Sequence, residues 1–482
     1  MTLETIGMLT LLIGLAGLWA GPRWAAALLC FSLLFGAAAA IQLPALGGNS
    51  IQPSHLLMVF LCLSVAIRPA QFRASLLSLA HPGPGYWFAA YILFSVATAF
   101  FLPRIFANAS LVYSSARGAN SVMSTLASPL GPSSSNLTQS FYLLGDLACF
   151  AIVAALAKAG EYRFIALAVV ATSAGCSLFA FLDLITFYAG IPGALDVIRN
   201  ANYSMHTSDT FAGFKRIVGS YPEASSFGAI ALAFFSFTLV LWLERYPVRH
   251  LGLVTMGTGV FLLMSTSTTA YAAGGAMIGV IILYSLQQLW RGRAHSSHAA
   301  FMLLCVLVVP CAVLGLMLIP SIWQMVIDVG VEAFANKLGS QSGEERTAWN
   351  TLALISFIDT MGMGAGLGAV RASSFVVALI ANTGVAGTLL FILFVYRLFA
   401  PARGLDMRRL DEAAIGRAAL MSALSQIFSA TIAGSSTDLG LLFSLTSGLA
   451  AGASARAVLN NASLTPPALV VAHKTAGGTG FA

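Results

Sequence analysis

FIALAVVATSAGCSLFAFLDLITFY, residues 164–188, is a run of 25 residues in which Asp183 alone is charged. As a helix rising 1.5 Å per residue it is about 37 Å long, enough to cross the roughly 30 Å hydrocarbon core of a bilayer. Its neighbours repeat the pattern. Outward from it, apolar cores run over 3–20, 24–42, 53–67, 86–102, 141–157, 227–243, 250–265, 271–289, 299–319, 373–396, 416–433 and 438–454. The expected fold is therefore an all-α polytopic membrane protein with 12–14 transmembrane helices, thirteen by this reading.

Composition points the same way. Charged residues are 9% of the 482-residue chain and hydrophobic residues 58%. A soluble domain carries about 25% charged residues, because its surface must face water. We read one polytopic domain over residues 1–456 and a flexible cytoplasmic tail over 457–482. The six cysteines (30, 62, 149, 176, 305 and 311) all fall inside apolar runs, so neither a disulfide framework nor a zinc spacing is indicated.

The first run, Ile6 to Trp19, has no basic residue before it, unlike a signal peptide; the first cation is Arg23. A retained first helix with its N-terminus outside is the expectation. Counting Lys and Arg on that basis puts sixteen on the inner side and eight on the outer, in keeping with the positive-inside rule. The net charge of +7 thus reflects topology, and no nucleic-acid partner is implied.

Three outer loops are long, at about 103–140, 189–226 and 320–372, and the third holds an apolar helix-compatible stretch from Ile322 to Phe334. Polar residues concentrate in two clusters that run directly into helices. The first is Lys215-Arg216-Ile217-Val218-Gly219-Ser220-Tyr221-Pro222-Glu223. Pro222 and Glu223 suit a helix start, and a turn at Gly219 would fold Arg216 back beside Glu223. Glu223 is then either a cap in an ordinary salt bridge or a general base or substrate anchor next to an anion-binding arginine.

The second cluster is Gly343-Glu344-Glu345-Arg346-Thr347-Ala348-Trp349-Asn350, followed by glycines 362, 364, 366 and 368 and then Arg371. An exposed Trp349 beside Arg346 suits a sugar ring or the membrane interface. Each arginine could equally be paired with a neighbouring acid. Asp146 and Asp183 lie inside expected spans, where ionisable groups are costly and functional by default, yet neither helix offers a basic partner on the same turn. Asp438 reads as a helix cap, and His206 as a solvated loop histidine. No HExxH, GxSxG, His/Cys cluster or phosphate-binding glycine loop is present, so no metal or other cofactor is expected.

The two clusters resemble, in this order, those of the Wzy and WaaL superfamily of bacterial polysaccharide polymerases and O-antigen ligases. The carrying residues are Arg216-x-x-Gly219-x-x-x-Glu223, Arg346-x-x-Trp349, Gly364-x-Gly366-x-Gly368 and Asn382-Thr383-Gly384-x-x-Gly387, within roughly 210–400. The resemblance implies a metal-independent glycosyltransferase of the inner membrane, active at its periplasmic face. Its donor would be an oligosaccharide on undecaprenyl diphosphate, with membrane lipid and chain-length-regulating and export proteins as partners. It implies that Arg216, Arg346 and Arg371 hold the diphosphate, that Tyr221 and Trp349 contact substrate, and that Glu223 is catalytic, orienting the acceptor. Two features depart from the pattern. Ligases of the superfamily place a histidine where Ser373 stands, and the first motif commonly carries Asn where this chain has Glu223. The first departure favours a polymerase over a ligase. A lipid-linked glycan flippase or other transporter is the remaining alternative, but it would place paired charges and broken helices near the midplane.

Overall fold

The computed structural model describes residues 2–43, 49–114, 127–202, 205–211, 214–318, 341–400 and 411–464, together with positions 320, 323, 324 and 327. Proline opens four successive helices after the first, where its fixed φ costs nothing and its missing N–H is not needed. The first half holds α1 (Thr5–Ala20), α2 (Pro22–Ser32), α3 (Pro53–Ala66), α4 (Pro69–Leu77), α5 (Pro84–Ile105), α6 (Ser134–Leu156) and α7 (Tyr162–Tyr188). The second holds α8 (Ala224–Leu243), α9 (Leu251–Met264), α10 (Thr268–Trp290), α11 (Ser296–Leu303), α12 (Val309–Met317), α13 (Gln341–Asp359), α14 (Phe375–Phe399), α15 (Asp411–Ala433) and α16 (Gly440–Leu464). Short ribbons join the loops: β1 (Thr2–Leu3), β2 (Ile41–Leu43) and β3 (Asn49–Ile51) form one, β4 (Leu111–Val112) and β5 (Ser128–Pro129) a second, and β6 (Thr210–Phe211) and β7 (Phe214–Lys215) a third.

The protein is an all-α, multi-pass membrane protein. Among the described residues seven helical stretches are long and apolar enough to span, or eight if α3 and α4, bent by 110° to each other, make one span. In this count α6 and α7, continuous through a π-helical turn over Ala157–Glu161, are one stretch, and α11 and α12, joined through Leu304–Val308, are another. Leu12, Phe100 and Leu283 are each more than half exposed, as side chains facing lipid are. Several of the thirteen expected cores fold differently. The run 24–42 is helical only to Ser32. Beyond it the backbone turns to the neighbouring loop, with Ala37 N–H donating to Ser220 O at 3.0 Å and Ala39 N–H to Asn200 Oδ1 at 2.9 Å. Irregular backbone among spanning helices is tolerated where protein groups satisfy it in this way. Runs 3–20 and 250–265 form helices of 16 and 14 residues, and 416–433 lies in α15, which begins with Asp411, Glu412 and Arg417. Most of Ile322–Phe334, and the tail from residue 465 on, lie outside the described residues; α16 itself continues to Leu464.

Small residues set the closest helix contacts. A Cβ on Gly448 would come 2.7 Å from Phe150 O, and one on Gly452 2.3 Å from Ala154 O, so α16 lies directly on the backbone of α6. An aromatic cluster then fills the interior, with Phe88 stacked on Phe394 at 4.4 Å between ring centroids and Phe150 edge-on to Phe394 at 5.8 Å. At the far end of α8, Arg417 grips Glu244 with two hydrogen bonds of 3.0 and 2.7 Å and ties α15 to α8.

Candidate functional site

Asp183 organises the site from below. Its Oδ1 accepts from Arg199 Nη2 at 2.6 Å, its Oδ2 accepts the backbone N–H groups of Val218 (2.9 Å) and Gly219 (3.2 Å), and Lys215 Nζ lies 3.6 Å away. All three charged side chains are buried. Arg199 Nε donates onward to Gly219 O at 3.0 Å. Burial lowers the pKa of Lys215, and the Asp183 carboxylate acts against that shift. The acid expected inside a span thus does have basic partners. They come from the loop above it, 16 and 32 residues further along the chain, where helix periodicity carries no signal.

This anchor fixes the segment that carries Arg216 and Glu223. Gly219, at φ +56, makes the turn between them, and Glu223 occupies the N-cap of α8 in extended conformation. Its carboxylate accepts from the hydroxyls of Ser225 and Ser226. Arg216 Nη2 reaches Thr266 O at 3.5 Å, while its buried Nε has no partner.

Arg216, Glu223 and Arg346 meet in one pocket of about 220 Å³, with His206, Asp209, Ala224, Ser225 and Ser267 completing its lining. Arg346 arrives from α13. Two helix N-termini open on the same space, that of α8 at Glu223–Ser225 and that of α10 at Ser267. The dipole gives each such terminus a positive end, although at α10 the Ser267 hydroxyl already accepts the Ala270 N–H at 3.3 Å. Neither Arg216 nor Arg346 has an ion-pair partner among the described residues. The salt bridge anticipated between Arg216 and Glu223 is therefore not formed, although both face the same volume. Two guanidinium groups and two helix N-termini offer donors suited to a phosphate-bearing anion, beside two carboxylates, those of Glu223 and Asp209.

Arg371 and Trp349 do not line this pocket. The Arg371 guanidinium stacks on the Trp349 ring, 3.8 Å from its centroid, one turn along α13 from Arg346. Burial lowers the Arg371 pKa, and Glu345 opposes it. Arg371 is positioned by its own backbone, whose N–H donates to Tyr113 O at 2.9 Å, and by a clasp around Asn382. Asn382 bonds both the N–H and the C=O of Val370, at 3.0 and 2.8 Å. Gly364 packs so closely on Gly384 that an added Cβ would meet its nitrogen at 2.6 Å. The glycines and the Asn-Thr-Gly element are thus one structural device that shapes the chain leading to Arg371. The other face of α13 borders an open groove of about 640 Å³ lined by Tyr113, Glu344, Thr347, Ala348, Thr351 and Leu352.

Tyr221 stands apart from the expected site. It is buried, and its hydroxyl donates to Leu33 O at 3.0 Å, so it pins the loop to the end of α2 and does not face the pocket. His206 and Asp209 are the reverse case. Their side chains lie 3.4 Å apart within the pocket, and a β-ribbon, which the sequence did not announce, brings them there. Asp146 is buried in α6 beside Asp438, and Asp438 accepts from Gly440 N–H at 2.6 Å as a cap of α16. Compared with known proteins, the chain matches no family model, no curated protein and no solved structure.

Proposed function

We propose that the protein polymerises undecaprenyl-diphosphate-linked oligosaccharide repeat units into a surface or secreted polysaccharide at the periplasmic face of the bacterial inner membrane. The observation that carries this reading is the convergence of Arg216, Arg346 and Glu223 on one pocket at two helix N-termini. A guanidinium fork matches phosphate oxygens and stays charged, so the two arginines suit a lipid diphosphate. The pocket is small enough for a diphosphate alone. The groove on the other face of α13 and the stacked Arg371–Trp349 pair offer polar and aromatic surface for sugars.

In this reading an acceptor hydroxyl oxygen bonds to the anomeric carbon of the donor glycan. The bond from that carbon to the phosphate oxygen breaks, and its electron pair leaves with undecaprenyl diphosphate. Glu223 accepts the hydroxyl proton. Arg216, Arg346 and the helix N-termini stabilise the negative charge that grows on the leaving group, so the glycosyl transfer is metal-independent.

The ligase reading, transfer of finished glycan from undecaprenyl diphosphate to a lipid or protein acceptor, is supported by one observation. His206, in the loop 189–226 and not at the position of Ser373, supplies an imidazole to the pocket that Glu223 also lines. Purified protein given a lipid-linked repeat unit discriminates the readings. Polymerisation yields a ladder of lipid-linked oligomers that Arg216→Ala reduces by roughly 10²–10³-fold. A protein that makes no oligomers but transfers the unit to a lipid or protein acceptor is a ligase.

A further inference from the structure

A second polar pocket lies at the opposite end of the bundle and plays no part in the proposed chemistry. α7 runs about 40 Å from Tyr162 to Tyr188, with Asp183 beneath the Arg216 loop and Glu161 at its other end. Around Glu161 the ends of α1, α2, α3, α4 and α6 enclose about 390 Å³. Such a volume falls in the range of about 300–1,000 Å³ typical of small-molecule sites.

The lining carries both signs of charge. Arg68, at the 110° bend between α3 and α4, anchors Nη1 on Ser64 O at 2.5 Å and reaches toward the turn at Gly21. It has no carboxylate within ion-pair distance among the described residues. Arg23 lies 3.8 Å from Glu161, at the loose limit of an ion pair, with both side chains more than a third exposed. Gln71 presents a buried side-chain oxygen with no hydrogen-bond partner. The C-terminal end of α1, at Ala20, brings further carbonyl acceptors to the wall. Cationic donors on one side and unfilled acceptors on the other complement a zwitterion better than a simple anion.

The surroundings place this pocket at the level of lipid head groups. Trp19 is 93% exposed and Trp24 is also exposed, the positions that interfacial tryptophans take. α4 turns away from α3 and leaves Phe72, Leu76 and Leu77 exposed, while Gln71, Ala74 and Ser75 line the pocket. Exposed apolar side chains at this end of the bundle suit contact with the lipid interface.

We propose that this pocket binds the phosphoethanolamine head group of a membrane phospholipid. Its phosphate lies against Arg68 and Arg23, and its ammonium donates to Glu161 and the side-chain oxygen of Gln71. The site stands independently of the polymerase reading.

Native mass spectrometry and thermal unfolding of the full chain in detergent test it, with phosphatidylethanolamine, phosphatidylglycerol, phosphatidylcholine and soluble O-phosphoethanolamine as probes. The expected result is a one-to-one phosphatidylethanolamine adduct that raises the unfolding temperature. Phosphatidylcholine, whose quaternary ammonium has no N–H, binds less tightly. Arg68→Gln weakens the adduct about ten-fold or more, and Glu161→Gln removes the preference over phosphatidylglycerol. Should Arg68→Gln not fold, Arg23→Gln at the exposed rim gives the same test. Equal binding of all lipids, a preference of the wild type for phosphatidylglycerol, unchanged binding by the arginine variant, or stabilisation by O-phosphoethanolamine as strong as by the lipid would each overturn the proposal.

Discussion

Arg199 donates from Nη2 to Asp183 Oδ1 at 2.6 Å, with the two side chains only 4% and 2% exposed. The carboxylate that receives this bond also holds the backbone of Val218 and Gly219, so a single group in α7 sets the height and direction of the loop carrying Arg216. Asp183→Ala leaves two cations buried without their counter-charge, and removing one partner of a buried pair costs about 3–5 kcal/mol. A lowered unfolding temperature in detergent is the expected result. In a double-mutant cycle, Asp183→Ala with Arg199→Ala costs less than the sum of the single changes.

Arg216→Ala and Arg346→Ala each reduce polymer formation by roughly 10²–10³-fold, the usual loss when one donor to developing charge is removed. Neither arginine is ion-paired among the described residues, so stability stays nearly unchanged. Lysine at either position restores only part of the rate, because it lacks the planar fork. Single-turnover rates with a lipid-linked donor measure both effects.

Glu223 separates capping from catalysis. Glu223→Gln keeps an oxygen for the hydroxyls of Ser225 and Ser226 but accepts no proton at neutral pH. A loss of about 10²–10⁴-fold in turnover with an unchanged unfolding temperature is expected for a base. Wild-type turnover in this variant would leave Glu223 only a structural partner of Ser225 and Ser226.

Gly384 breaks α14 at φ +64, and a Cβ there would lie 2.3 Å from Met363 O. Gly384→Ala should therefore displace the 362–370 turn and destabilise the protein by at least about 1–3 kcal/mol. Donor binding weakens with it, because the turn leads to Arg371. Unfolding and donor-binding titrations on the same preparation report both.

At the opposite end of the bundle, Arg417→Ala breaks the two-bond clamp on Glu244. A loss on the order of 3 kcal/mol in stability is expected, with turnover per folded molecule unchanged. The contrast with Arg216→Ala is the useful control.

The membrane class was legible from runs such as 164–188, since apolar length alone decides it. Helix number was not. The run 24–42 is as apolar as a span, yet its second half gives its N–H groups to Ser220 and Asn200, a tertiary event without a hydropathy signature. Arg216, Glu223 and Arg346 stood out because charge is scarce and gathers where loops enter helices. That Arg346 shares a pocket with the other two was implied only by the family resemblance, which also placed Arg371 there, outside the pocket's lining. Tyr221 was misplaced, since a tyrosine pinned to Leu33 O and one facing a ligand look alike in sequence. His206 and Asp209 were passed over because a two-residue ribbon, β6–β7, delivers them.

The most direct test of the polymerase claim is the length distribution of polysaccharide and of its lipid-linked intermediates in cells lacking this chain, with and without complementation by wild type or Arg216→Ala. The account predicts that long chains vanish and single repeat units accumulate on the periplasmic face, and that only the wild type restores length. Long lipid-linked chains that never reach a final acceptor, or single units held on the cytoplasmic face, would contradict it.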